Sequence, residues 1–236
     1  MNKEQYDSYV DFAREHLGLT FNNIELLITA LTHRSYVNEH KKSAKEHNER
    51  LEFLGDAVLE LVTTDYLYRN YEESEGILTN WRAALVRTES IGAAGEALGY
   101  GNLLRMSKGE RNGSERARMV IMADAFEAVI GAVYLDQGYD AARKVIDDFI
   151  ITKLPEILDS QSWRDPKSYL QELSQRFDNE TPTYKILRED GPDHDKVFTV
   201  GVFIGRTMTG TGEGHSKQEA EANAAAKAIK KYSAKQ

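Results

Sequence analysis

Glu49-Arg-Leu-Glu-Phe-Leu-Gly-Asp-Ala-Val-Leu59 is the stretch of this 236-residue chain that decides its fold. On a helix, at about 100° per residue, Glu49, Glu52 and Asp56 share one side. The opposite, core-facing side carries the apolar positions Leu51, Leu54, Val58 and Leu61. Acids at this spacing repel each other, so stability gives no reason to stack three of them unless cations lie between them. Taken by itself, the stripe also fits a solvated acidic face.

A second acidic pair lies in the segment Met119–Gly131, where Asp124 and Glu127 are three residues apart. The rest of this segment is apolar and rich in alanine and glycine, which predicts a helix buried nearly all round. Carboxylates there are costly unless they are paired or bind a metal. If this helix packs against the first, the acids of the two helices converge on one site. Oxygen ligands without histidine or cysteine suit Mg²⁺, with Mn²⁺ as a substitute.

The first part of the chain has apolar residues at helical spacing, and all four prolines lie beyond residue 150. These features predict an all-α domain over residues 1–153. The predicted helices span residues 4–17, 23–32, 47–70, 76–98, 115–136 and 139–152. A polar stretch without periodicity between Pro155 and Pro166 predicts a linker over residues 154–165.

The C-terminal part, residues 166–235, predicts a small α+β domain of order α-β-β-β-α. Lys167–Phe177 has helical periodicity, and Val197–Ile204 alternates in the manner of a strand. Residues 184–189 and 206–214 are the other two candidate strands. Ser216 is expected to cap an alanine-rich helix, with Glu219 completing a capping box. The fold class is therefore multidomain.

Composition limits the possible functions. Hydrophobic residues make up 41% of the chain and charged residues 29%, and there is no cysteine. Disulfides, zinc-thiolate sites and a cysteine nucleophile are excluded. The longest apolar run, Ala128–Leu135, is too short to cross a membrane, and no signal peptide is visible, so we expect a cytoplasmic protein. Neither a P-loop nor a glycine-rich dinucleotide turn is present, so we expect no nucleotide cofactor.

The net charge of −8 taken alone argues against a nucleic-acid partner, because phosphate binding favours a basic surface. The charge is unevenly distributed, however. Residues 1–163 hold 18 Lys and Arg against 27 Asp and Glu, which gives −9, whereas residues 164–236 hold 12 against 11, which gives +1. Two units with different roles are therefore expected.

Together these segments resemble the ribonuclease III family of double-stranded-RNA-specific endonucleases. The block Glu49–Leu59 resembles the family signature over eleven residues. Asp124 and Glu127 match its second acidic pair, and Leu31-Thr-His-Arg-Ser-Tyr36 and Glu75-Gly76 resemble two further blocks. The α-β-β-β-α tail resembles the double-stranded-RNA-binding domain of bacterial members. The resemblance covers essentially the whole chain.

The resemblance implies a Mg²⁺-dependent endoribonuclease that leaves 5′-phosphate and 3′-hydroxyl ends with short 3′ overhangs. It also implies roles in processing ribosomal RNA precursors and in messenger RNA processing or decay. The implied metal ligands are Glu52, Asp56, Asp124 and Glu127, of which Asp56 and Glu127 are also assigned as catalytic. Asp56 either binds the metal or positions the attacking water.

The resemblance also assigns Glu49 and Glu75 to the cleavage cleft, although Glu75 equally fits an ordinary first-turn helix acid. It further implies a homodimer into which Phe53 inserts. Burial of Phe53 under a loop of its own chain is the alternative.

The same resemblance implies that Gln171, Glu172, His194 and Lys217 bind RNA. The sequence departs from the family at Gln218, where a second lysine is usual, so we expect weaker and less salt-sensitive binding by this domain. In the nuclease part, residues 105–118 are expected to form a basic loop. Its side chains either contact RNA or are simply solvated, and the sequence favours neither interpretation. Residues 32–36 either brace the helices or, through His33 and Arg34, contact RNA.

Three alternatives remain at this stage. A non-catalytic RNA-binding protein on the same fold would lack metal-site acids, and all are present here. A metal-dependent hydrolase of another substrate leaves the RNA-binding-like tail without a role. A purely structural helical dimer does not explain Asp124 and Glu127.

Overall fold

The computed structural model describes residues 1–41, 46–161, 163–192 and 196–232. The chain divides into two compact units, Met1–Trp163 and Arg164–Gln236. The first unit is helical, and the second combines a sheet with two helices. The fold class expected from the sequence is therefore confirmed.

The first unit contains ten α-helices among its described residues. Their bounds are α1 Lys3–His16, α2 Ile24–Ala30, α3 Arg34–Glu39, α4 Glu49–Asn70, α5 Glu75–Leu85, α6 Thr88–Leu98, α7 Lys108–Arg111, α8 Glu115–Gln137, α9 Tyr139–Phe149 and α10 Leu154–Ser160. Helix α8 lies at the centre of the hydrophobic core. Ten of its residues between Ile121 and Val133 are buried. The expectation of a helix buried nearly all round is therefore confirmed for this part of α8.

Helices α4 and α8 cross in backbone contact at two glycines. A Cβ atom added at Gly55 would lie 1.7 Å from the carbonyl oxygen of Glu127. One added at Gly131 would lie 2.2 Å from the carbonyl oxygen of Leu51. No side chain fits at either position without moving a backbone. These two glycines therefore set the closeness of α4 and α8.

The single helix expected over residues 76–98 is wrong, because the chain turns at Val86 and Arg87 and forms α5 and α6 separately. No proline or glycine marks this break in the sequence. The turn lets α6 lie against α8, where Gly92 and Gly95 leave no room for a Cβ beside Met119 and the Tyr100 hydroxyl. Tertiary packing overrides local helix propensity here.

Two further expectations need correction. The sequence predicts Leu61 on the core side of α4, but the residue is 58% exposed, whereas Leu51 and Val58 are buried. The range 154–165, expected to be a linker, begins with α10, whose Leu154 and Ile157 are buried in the core of the first unit. The part of this range before Gln161 is therefore folded, and the domain limits themselves stay a prediction.

The second unit contains α11 Pro166–Asp178, β1 Thr183–Asp190, β2 Val197–Ile204, β3 Thr207–Gly214 and α12 Lys217–Tyr232. The strands form an antiparallel sheet of order β1-β2-β3. Gly210, Gly212 and Gly214 let α12 lie directly on β3, because a Cβ at Gly212 would lie 2.2 Å from the backbone nitrogen of Ala224. This close packing explains why β3 is rich in glycine.

The α12 N-terminus is capped nearly as expected. Ser216 Oγ accepts a hydrogen bond from the backbone N–H of Glu219 at 3.1 Å. The Glu219 carboxylate accepts from the backbone N–H of His215 at 2.8 Å, one residue before the position that a capping box uses. Among the described residues, no helix is both long enough and apolar enough to cross a membrane.

Candidate active site

The crossing of α4 and α8 places the two acidic segments side by side. Gly55 touches the backbone of Glu127. Asp56 follows Gly55 directly, and Glu52 lies one helical turn before it. On α8, Asp124 lies one turn before Glu127. The backbone contact therefore brings together the four acids that the sequence assigns to the metal.

Burial and mutual repulsion perturb these carboxyl groups. The pKa of Glu127 is raised to about 8, first by burial and then by the charges of Asp56, Glu52 and Asp124. The pKa of Glu52 is raised to about 7, again by burial first and then by Asp124. Burial also raises the pKa of Asp124, although Arg34 partly offsets the effect. Such crowding of acids is typical of sites that bind cations or transfer protons.

A cavity of about 470 Å³ opens beside the acids. Glu49, Glu52 and Asp124 line it together with His33 and Arg34. As the side chains are placed, no three His, Asp or Glu groups within the described parts of the chain already form a ligand set for a metal ion. The backbone thus brings the acids together, and the side chains would have to reorient to share one ion.

The segment before α4 fixes one wall of this cavity. The backbone N–H of Asn48 donates to the Thr32 carbonyl at 2.9 Å, and that of His33 donates to the Arg105 carbonyl at 2.9 Å. Ser35 Oγ accepts from the backbone N–H of Ser107 at 3.0 Å. Residues 32–36 therefore do brace the helices, which was one of the two interpretations.

The remaining predicted residues of the first unit are all exposed. Glu49 pairs with Arg34, Nη1 to Oε1 at 3.4 Å, at the cavity. Glu75 lies in the first turn of α5 and lines a different pocket with Tyr68 of α4, so the structure does not bring it to Glu52. The Phe53 side chain is 80% exposed. No loop within the described parts of the chain therefore buries Phe53, and that alternative is wrong for them.

In the second unit, Gln171 and Glu172 lie on the exposed surface of α11, and Lys217 begins α12. Lys217 Nζ lies 5.6 Å from the centre of the Phe198 ring. Gln171 and Gln218 line one open pocket of about 690 Å³. His194 lies outside the described residues. The RNA-binding assignments stay predictions.

Glu219 and Glu221, the two acids near Lys217, both have partners within the second unit. Glu219 caps α12, as described above, and Glu221 forms an ion pair with Lys167 of α11. This ion pair was not expected from the sequence, because its partners lie 54 positions apart. It also takes up a lysine near the predicted RNA-binding residues.

Comparison with known proteins places both units in one family. Residues 23–154 match the family model described as ribonuclease-III-like, and residues 166–232 match the double-stranded RNA binding motif. The chain belongs to the ribonuclease III family. It is 45% identical over 219 residues to ribonuclease 3 of Pelotomaculum thermopropionicum, covering 92% of this chain and 91% of that one. It is 48% identical over 215 residues to ribonuclease 3 of Carboxydothermus hydrogenoformans, covering 90% and 91%.

A solved structure shares the fold of the first unit. The nuclease domain of ribonuclease III from Campylobacter jejuni is 39% identical, with a TM-score of 0.55. It covers 62% of this chain, which in turn covers 99% of that domain.

The ribonuclease III family requires a divalent metal in general, and the residues of this chain fit one. Four carboxylates crowd at one helix crossing, and burial first and mutual repulsion second raise the pKa values of Glu52 and Glu127; a cation would offset both effects.

Proposed function

We propose that this protein is an endoribonuclease that hydrolyses double-stranded RNA at the α4–α8 crossing with Mg²⁺, or Mn²⁺ in its place. The observation that carries the proposal is the contact of Gly55 with the Glu127 backbone, which brings two acidic helices together. Glu52, Asp56, Asp124 and Glu127 would hold the ion. When bound, a divalent ion lowers the pKa of a water molecule and neutralises charge on the leaving oxygen.

The protein groups have separate tasks in this scheme. Burial and the neighbouring acids raise the pKa of Glu127 in the metal-free site, and a bound cation would lower it, so Glu127 would act as a charged, catalytic ligand of the ion. Asp56 is more exposed than Glu52, Asp124 and Glu127, so it would either bind the ion or position the attacking water. Cleavage would leave a 5′-phosphate and a 3′-hydroxyl. Glu49 belongs to the cleavage cleft, and Glu75 is assigned there by family resemblance alone.

The second unit would grip the duplex. Double-stranded RNA is recognised by shape, through 2′-hydroxyl and phosphate contacts over about 16 base pairs. A nearly neutral domain with polar side chains on α11 and a lysine at the start of α12 suits this task. We place the protein in the cytoplasm, with precursor ribosomal RNA and structured messenger RNA as its substrates.

We further propose a homodimer formed through α4. Phe53, Leu61 and Tyr68 leave 80%, 58% and 78% of their side chains exposed on this helix, which gives it an unburied apolar stripe. Exposed apolar patches of this kind mark association surfaces. The related domain from Campylobacter jejuni is described as having a region involved in dimer formation. Two sites across one duplex would give the short 3′ overhangs.

A cleavage assay with variants tests the proposed function. The protein is incubated with duplex RNA, single-stranded RNA and duplex DNA, with Mg²⁺ or with a chelator. Only duplex RNA with Mg²⁺ should be cut. Glu127→Gln should lower kcat at least ~100-fold, because it removes a charged metal ligand from the catalytic site, while duplex binding stays nearly intact. Glu96→Gln, at an exposed position on α6, should cut like the wild type. Full cleavage by Glu127→Gln would refute the assignment.

A further inference from the structure

Arg34 differs in charge from the acids that line the cavity with it. Among the described residues that line this cavity, Arg34 is the only lysine or arginine. Four carboxylates share the lining with it: Glu49, Glu52, Glu110 and Asp124. The whole first unit carries a net charge of −9. Among the described side chains that line this cavity, Arg34 is therefore the one that attracts a polyanion, whereas the four carboxylates repel it unless a metal is bound.

The backbone at Arg34 is held firmly, whereas its side chain is free to move. Arg34 begins the short helix α3, directly after His33, whose backbone N–H bonds the Arg105 carbonyl. The next residue, Ser35, is fixed to Ser107 by its hydroxyl group and donates its own N–H to Nδ1 of the His33 ring at 3.3 Å. The Arg34 side chain is 67% exposed, and its guanidinium meets Glu49 at 3.4 Å, a long and solvated contact that costs little to break.

We propose that Arg34 binds a phosphate of the RNA strand being cut, next to the scissile phosphate. This inference rests on the proposed function. A divalent ion can neutralise the acids and the scissile group, but the neighbouring phosphate needs its own cation. A guanidinium can offer two parallel N–H donors to a phosphate. Arg34 leaves Glu49 for that phosphate and acts as a positioning residue that sets the register of the strand over Glu52 and Asp124.

The salt dependence of cleavage gives a test that a purely structural role would not pass. Each phosphate contact adds roughly 0.7–0.9 to the slope of log affinity against log salt. Arg34→Ala should lower kcat/KM roughly tenfold, mainly by raising KM. The slope of log kcat/KM against log salt should become shallower by about one for each active site that contacts the duplex. Arg34→Lys keeps the charge but not the paired donors, so it should retain the slope while losing part of kcat/KM.

Arg69→Ala is the matched control. Arg69 is equally exposed, at 68%, and is also paired with a carboxylate, that of Asp65 on the same helix. It lies outside the cavity lining, so its loss should change neither kcat/KM nor the salt slope. The Glu49→Gln variant shows whether Arg34 contacts RNA directly or acts only through its ion pair with Glu49. If Arg34 acted only through Glu49, this variant would reproduce the effects of Arg34→Ala, and that result would overturn the proposal.

Equilibrium binding separates failure of this inference from failure of the proposed function. Duplex RNA of about 20 base pairs is titrated into Glu127→Gln and Glu127→Gln/Arg34→Ala, and the two salt slopes are compared. Equal slopes overturn the role of Arg34 even if the wild type cleaves duplex RNA. A shallower slope in the double variant supports the role even if the wild type fails to cleave. Circular dichroism confirms that each variant is folded.

Discussion

At the scale of single residues, the carboxyl group of Glu127 links the site to stability. Its pKa is about 8 in the folded chain, against 4.5 for an unperturbed glutamate, because burial and neighbouring acids disfavour the charged form. Between these values the folded state binds more protons than the unfolded state. The free energy of unfolding of the metal-free protein should therefore fall as the pH rises from 4.5 through about 8. Glu52, with its pKa near 7, adds to the same trend.

The melting temperature in the presence of a chelator measures this effect. It should drop by several degrees between about pH 5.5 and about pH 8.5, and Mg²⁺ should remove most of the drop by pairing with the charged acids. Glu127→Gln has no such charge, so the variant should melt above the wild type at the higher pH in chelator. A melting temperature of the metal-free wild type that rises over this range would contradict the raised pKa values.

Gln218 is predicted to set the strength of RNA binding by the second unit. The acids around it are already occupied, since Glu219 caps α12 and Glu221 pairs with Lys167. A lysine introduced at position 218 would therefore meet RNA phosphates rather than a free carboxylate. Gln218→Lys should tighten duplex binding several-fold and steepen its salt slope by about 0.7–0.9. Filter binding at several salt concentrations measures both. Gln218→Ala serves as the uncharged control, and equal slopes in the two variants would contradict the prediction.

At the scale of elements, Gly55 decides how closely α4 approaches α8. Alanine is favoured over glycine in a helix by about 1 kcal/mol. Overpacking a filled interior costs about 1–3 kcal/mol, and here the added carbon meets a carbonyl oxygen rather than a flexible side chain. The steric cost should prevail. Gly55→Ala should lower the melting temperature by several degrees and also reduce cleavage, because it moves Glu127 away from Glu52 and Asp56.

Gly76→Ala provides the opposite case. Gly76 lies in α5, and a Cβ added there meets nothing within 4 Å. Helix propensity then acts alone, so this variant should be as stable as the wild type or slightly more stable. Thermal unfolding of both variants, followed by circular dichroism, makes the comparison. A Gly55→Ala protein as stable as Gly76→Ala would show that the two helices can separate without cost.

The helices themselves differ in how much of them the sequence predicts. The central part of helix α8 is apolar on nearly all sides, and apolar residues recur at every second position of the strand β2, so the positions of both elements could be predicted. The break between α5 and α6 has no local signal, because it depends on how α6 fits against α8 at Gly92 and Gly95. Leu61 was misplaced for a related reason. Periodicity identifies an apolar side chain but not whether its partner belongs to the same chain.

The residues of the candidate site also differ in how far the sequence predicts them. The four acids could be predicted from their spacing and from the family resemblance. The sequence names Arg34 only as one of two possible RNA contacts. Its approach to Glu49 and Asp124 could not be predicted, because it depends on the bonds that fix residues 32–36 beside Asn48 and Ser107. The pairing of Lys167 with Glu221 likewise follows from the packing of α11 on α12. Contacts between distant segments leave no periodic trace in a sequence.

At the scale of the whole molecule, the exposed stripe on α4 predicts self-association. Phe53→Asp places a charge in the middle of a surface that would otherwise be buried in a dimer, where an unpaired charge is costly. The variant should be monomeric by light scattering at micromolar concentration, whereas the wild type should be a dimer. Cleavage of a long duplex should fall strongly, and the residual products should carry nicks in one strand rather than staggered breaks.

Leu135→Asp tests whether any exposed apolar residue would have this effect. Leu135 lies near the end of α8 and is 54% exposed, similar to Leu61, but it is not on the α4 stripe. Its variant should remain dimeric and should cut both strands. A monomeric wild type would refute the homodimer. If both variants dissociate alike, the effect is not specific to α4, and the pairing of two cleavage sites across one duplex must arise from another face.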